Sequence, residues 1–174
     1  MTPSPASRFG GFASGHFVIT ALCAPLLFFS PMLVESLPIL PLVLLLIALY
    51  LPAGWIVAAL RCWERPTLKE GMKAVLYPAL FAWGWAFGSW LLFCVPPLSG
   101  LGIWLLLSTY FLACPSFMLM LAVLAQVTDV TVWSAYSLTW YLFMILAGLL
   151  PPLLFFLGSI LPKKRLTTAQ NMIE

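Results

Sequence analysis

The side chains with the chemistry for metal, redox or nucleophilic work are few and scattered in this 174-residue chain. His16 is the only histidine, and it stands at the start of an apolar run, where an interfacial imidazole is the plain reading and a haem or metal would want further nitrogen or thiolate ligands. Cys23, Cys62, Cys94 and Cys114 include no CxxC pair, and a membrane path puts Cys62 and Cys94 at opposite faces, so neither a disulfide framework nor a zinc site follows. Cys114 and Met118 share a helical face at i, i+4, with Met120 near. That is a soft donor set for copper, but methionine as adaptable packing is the simpler reading. No serine or cysteine has a base partner, since His16 is alone. The expectation is no enzyme, no catalytic residue, no metal and no cofactor.

The charged side chains point to topology instead. Only 7% of residues are charged and 63% are hydrophobic, against roughly 25% charged in soluble domains. That composition predicts an integral membrane protein whose chemistry happens in or at the bilayer. Six of the thirteen charged residues fall in the stretch RCWERPTLKEGMK, at Arg61, Glu64, Arg65, Lys69, Glu70 and Lys73. A charge at mid-membrane costs at least about 2.5 kcal/mol, so this stretch belongs in water. Its basic members Arg61, Arg65, Lys69 and Lys73 mark loop 61–72 and its edge as cytoplasmic, and make it a candidate docking loop. The formal net charge of +3 is too small and too divided to suggest nucleic acid as a partner; the lipid bilayer and another membrane protein are the partners expected.

The elements that carry these residues are helices. At about 20 residues per crossing, the expectation is an all-α, polytopic bundle of about five spans, several of them proline-kinked, over residues 16–34, 38–60, 73–95, 101–125 and 138–161. Residues 1–15, rich in Pro, Ser and Gly, are expected as a loose tail, and 163–174 as a polar one. The run from Phe17 to Val34 is longer than a signal-peptide core of about 7–15 residues and predicts a retained first crossing. Thr67 and Glu70 fit a capping box, which starts a helix at Leu68. Pro66, by biasing Arg65 away from helical dihedrals, ends the preceding helix near Arg61 or Cys62. The run from Val132 to Leu161 is too long for one straight crossing, and Pro151-Pro152 offers a break for a re-entrant hairpin. That hairpin would bring Lys163, Lys164 and Arg165 to the side of the other five basic residues.

The third span supplies the interaction candidates. Gly84 and Gly88 lie four apart within WGWAFGSW, the small-xxx-small spacing that lets membrane helices approach closely. Trp83 and Trp85 flank that ridge, where they pack beside it, face lipid, or wall a pocket for a flat apolar ligand. Every charged residue has a place at a face or in a tail, which argues against ion-coupled transport. The reading is a non-catalytic subunit, scaffold or assembly partner of a membrane complex, placed in a bacterial cytoplasmic (inner) membrane with the N-terminus inside. The competing reading is a small permease or a lipid- or quinone-handling component with a cavity lined by the aromatic third span.

Overall fold

In a computed structural model the described residues, 5–33, 39–64, 66–113, 115–116 and 138–161, form helices and the turns that join them, with no strand among them. The helices are α1 (Pro5–Leu33), α2 (Ile39–Ala48), α3 (Tyr50–Leu60), α4 (Leu68–Cys94), α5 (Ser99–Ala113) and α6 (Leu138–Ile160). A 3₁₀ turn, Pro96–Leu98, joins α4 to α5. Two helical stretches are long and apolar enough to cross a membrane: Pro41–Leu60, 20 residues with mean hydropathy 2.4, and Lys69–Cys94, 26 residues with mean hydropathy 1.3.

α2 and α3 are one apolar run with a joint at Leu49. Pro52 has no N–H for the Ala48 carbonyl four residues back. The Leu49 N–H divides itself between the carbonyls of Leu45 and Leu46, at 3.1 and 3.3 Å, and the ladder resumes at Ala53. The run ends at Leu60 in a Schellman motif. The Cys62 N–H donates to the Ala59 carbonyl and the Trp63 N–H to the Ala58 carbonyl, with Cys62 in the left-handed region at φ 49°. Arg65, whose bias was expected to stop this helix, lies outside the described residues.

α4 opens at the capping box: the Thr67 N–H donates to the Glu70 carboxylate at 3.0 Å and the Glu70 N–H to the Thr67 hydroxyl at 3.4 Å. Both Pro78 in α4 and Pro151-Pro152 in α6 lie inside their helices. Of the bent span and the re-entrant hairpin that the sequence leaves open, the chain makes no reversal at Pro151-Pro152: α6 runs 23 residues through both prolines. The prolines withdraw donors from the carbonyls of Ala147 and Gly148 without reversing the chain.

α6 lies at the centre, packed on α3 and α4, while α5 packs on α4 and α1 on α3 and α4. Glycines set the closest approaches. A Cβ on Gly54 would collide with the Phe155 backbone, one on Gly158 with the Leu51 backbone, and one on Gly102 with the backbone of Leu92 and Phe93. The core cluster joins Ile19 and Cys23 of α1, Leu46 of α2, Tyr50 and Ala58 of α3, Trp63, and Phe155 of α6.

The loose tail expected over residues 1–15 is also corrected. α1 begins at Pro5, where a proline suits a first helical turn, and its first turns are pinned to the stretch after α3. The Arg8 guanidinium lies 5.4 Å over the Trp63 ring and that of Arg61 6.0 Å from it. Arg8 donates to the Glu64 carbonyl at 3.4 Å and Arg61 to the Ser7 carbonyl at 3.3 Å. Gly11 makes room for the indole, since a Cβ there would meet the Trp63 ring.

Candidate functional site

Each residue singled out in the third span has a definite place. The Trp83 indole N–H donates to the Ile145 carbonyl of α6 at 3.0 Å, and a Cβ at Gly148 would lie 2.6 Å from that nitrogen, so Gly148 is what lets the ring cross. The Trp85 N–H donates to the Ser108 hydroxyl of α5 at 2.8 Å, and Ser108 passes its own proton to the Leu105 carbonyl at 2.6 Å. Both tryptophans are cross-links from α4 to its neighbours, and neither lines the cavity beside His16. Gly84 and Gly88 are bare: a Cβ at either meets nothing within 4 Å among the described residues. The ridge makes no close contact among the described residues. The close contacts sit at Gly54, Gly158 and Gly102 instead.

The basic residues divide likewise. Arg61 is exposed but spent on Trp63 and Ser7, Lys69 is exposed and Lys73 half-buried, and Arg65 lies outside the described residues. The sequence passed over Arg8, which is only 4% exposed. Burial pushes its guanidinium below the ordinary value, while the Glu70 carboxylate pulls it back up. Its Nε has no hydrogen-bond partner among the described residues. Arg8 thus works as an internal clamp between α1, Glu64 and Trp63.

The feature with the shape of a site is a cavity of about 340 Å³ between α1, α4, α5 and α6, within the size range of small-molecule pockets. α1 supplies Phe9, Phe12, His16 and Thr20, α4 supplies Pro78 and Phe81, and α6 supplies Gly148, Pro151 and Pro152. His16 is no interfacial bystander. Its Nδ1 shares a 2.5 Å hydrogen bond with the hydroxyl of Tyr50, a side chain with no exposure, and its Nε2 lies 3.5 Å from the Thr20 hydroxyl. Phe12 stacks on the imidazole at 5.5 Å, and Tyr50 at 5.9 Å. No family model, curated protein or solved structure matches this chain. Function is therefore read from geometry: an apolar, ring-lined chamber with one polar wall.

Sequence reasoning missed this wall because the helical partner of His16 is 34 residues away, beyond any local spacing. The one available signal was Pro151-Pro152. The Gly148 carbonyl finds a proline at both i+3 and i+4, so neither the 3₁₀ nor the α-helical donor exists for it. Cys114, Met118 and Met120 fall outside the described residues, and no group of three potential ligands occurs among the described ones.

Proposed function

We propose that the chain is a multi-pass protein of about five crossings in a bacterial cytoplasmic membrane, acting without catalysis as a subunit or assembly partner of another membrane protein. The observation that carries the assembly reading is the bare ridge of Gly84 and Gly88. A glycine inside a helix costs about 1 kcal/mol relative to alanine. At Gly54, Gly102 and Gly158 the close approach of a second backbone offsets that cost. At Gly84 and Gly88 no described residue does, so a contact from beyond them is the natural complement. Exposed apolar side chains along the same helix, Leu80, Phe81 and Leu91 among them, suit a partner within the bilayer.

Orientation follows from the clamp on α1. Arg8, Arg61 and Trp63 hold the N-terminal turns beside loop 61–72, so Arg8 joins Arg61, Lys69 and Lys73 at one end of the bundle. Short basic segments are retained in the cytoplasm, which puts the N-terminus and this loop inside.

Purification from native membranes in mild detergent tests the assembly. A stoichiometric membrane-protein companion is expected with the wild-type chain, and Gly84→Leu and Gly88→Leu should each lose it while still inserting, since leucine is welcome in lipid. Retention by both variants would remove the ridge as the docking face. The permease or lipid- and quinone-handling reading has one observation in its favour, the cavity beside His16.

A further inference from the structure

We infer that the opening turns of α4 form a binding site for an anionic phospholipid, with its phosphodiester on Lys69 and Lys73 and its acyl chains along the helix beyond them. The two lysines stand four residues apart, so their side chains leave one face of α4 a single turn from each other. Lys69 is exposed and Lys73 half-buried, and among the described residues neither ammonium has an ion-pair or hydrogen-bond partner. Glu70, the acid between them, is turned to the Thr67 N–H at 3.0 Å as part of the cap. Like charges at this spacing repel, and an anion held between them relieves that repulsion while accepting hydrogen bonds from both. Arg61 adds positive potential at the same end of the bundle, where its neighbour Trp63 and Ala74 of α4 line one small pocket. The Ser7 carbonyl and the Trp63 ring that Arg61 touches are both uncharged, so its charge is not neutralised there.

The helix beyond the lysines specifies a lipid rather than a free phosphate. At about 100° per residue, Lys69, Lys73, Leu76 and Leu80 fall within an arc of about 60°. Leu76 and Leu80 are 42% and 51% exposed, and Met72 beside them 63%, so the outward stripe that follows the ammonium groups is apolar. From Lys69 to Leu80 the helix rises about 16 Å, close to half of the roughly 30 Å hydrocarbon thickness. A headgroup held by the lysines therefore sets its own acyl chains against Met72, Leu76 and Leu80, all within one leaflet. Long lysine stems suit this boundary, because they cover apolar surface while the charge stays at headgroup level. The glycine ridge begins one turn deeper, at Gly84, so the two contacts follow one another down the helix.

The inference rests on the chain being membrane-embedded but not on its having a protein companion, and resistance to carbonate extraction from native membranes reports the embedding separately. The full-length protein is stripped of lipid in detergent, and binding of phosphatidylglycerol and of phosphatidylcholine with identical acyl chains is titrated by native mass spectrometry. Phosphatidylglycerol should bind at least about fivefold tighter, the affinity that one lysine near an anionic headgroup supplies. Lys69→Gln and Lys73→Gln should each weaken phosphatidylglycerol binding about fivefold and leave phosphatidylcholine unchanged, whereas Lys69→Arg and Lys73→Arg keep the preference. Joint replacement of Lys163 and Lys164 by glutamine, in the other basic cluster, should also leave it intact. Soluble glycerophosphoglycerol, which has the phosphodiester and no acyl chains, should fail to compete at the same concentration. In a chain that resists carbonate, equal affinity for the two lipids, an unchanged preference in both α4 glutamine variants, or competition by the soluble headgroup would each overturn the assignment. Extraction by carbonate would remove the membrane reading and this inference with it.

Discussion

At Cys62 a β-carbon occupies a position where helices usually place glycine. Its φ of 49° closes the Schellman motif and swings Trp63 under the first turns of α1, so the strain is held in place by the Arg8 and Arg61 contacts on that indole. Left-handed dihedrals cost a non-glycine residue about 1–2 kcal/mol, and a glycine gives back part of that gain as unfolded-chain entropy. Cys62→Gly should therefore raise the melting temperature in detergent, equivalent to about 0.5–1 kcal/mol; a fall would mean that the thiol makes a contact worth more than the strain. The neighbouring capping box was readable from four residues, because Thr67 and Glu70 satisfy each other without help from the rest of the fold. Cys62, Arg8 and His16 were not readable. What each does depends on a partner brought up by tertiary packing: Trp63 beneath α1, the Glu64 carbonyl, and the Tyr50 hydroxyl.

The closest helix approaches among the described residues fall where one helix has a glycine against the backbone of the other. Gly54 of α3 receives the Phe155 backbone and Gly158 of α6 receives that of Leu51, a reciprocal seam with no signature in either helix alone. The GxxxG spacing of α4 is visible in one line of sequence, yet a Cβ on either glycine would meet no described residue within 4 Å. Spacing reports a capacity for close approach and not the address of the partner. Overpacking at a filled seam costs about 1–3 kcal/mol or more. Gly54→Leu and Gly158→Leu should thus each lower the melting temperature of the purified chain substantially, whereas Gly84→Leu and Gly88→Leu leave it where it is. Equal losses at all four positions would show that the α4 ridge is covered within the chain, by residues beyond the described ones. Proline is ambiguous at this scale for a similar reason. Pro151-Pro152 looks like a break in isolation, but α6 carries both as wall residues of the cavity.

The helical character of the whole molecule was plain from composition, because 63% hydrophobic residues in long unbroken runs leave few other ways to satisfy a backbone. The number of crossings was less so: among the described residues two stretches, Pro41–Leu60 and Lys69–Cys94, are long and apolar enough to cross a membrane. One test fixes the orientation of the described part. Cys62 precedes α4 and Cys94 ends it, both exposed, and 27 helical residues separate them by about 40 Å, enough to reach both faces of a bilayer. In a background lacking Cys23 and Cys114, a membrane-impermeant maleimide added to intact cells should label Cys94 and spare Cys62 until the cells are lysed. The reverse pattern would invert the orientation proposed from loop 61–72.

The seam between α3 and α6 also has a history in time. Its two halves meet across Gly54 and Gly158, so a ribosome adding about 5–20 residues per second needs roughly 5–20 s after making the first glycine before the second exists. Through that interval the notch at Gly54 stands without the Phe155 backbone that fills it. Completion of the bundle is thus set by the arrival of the last helix.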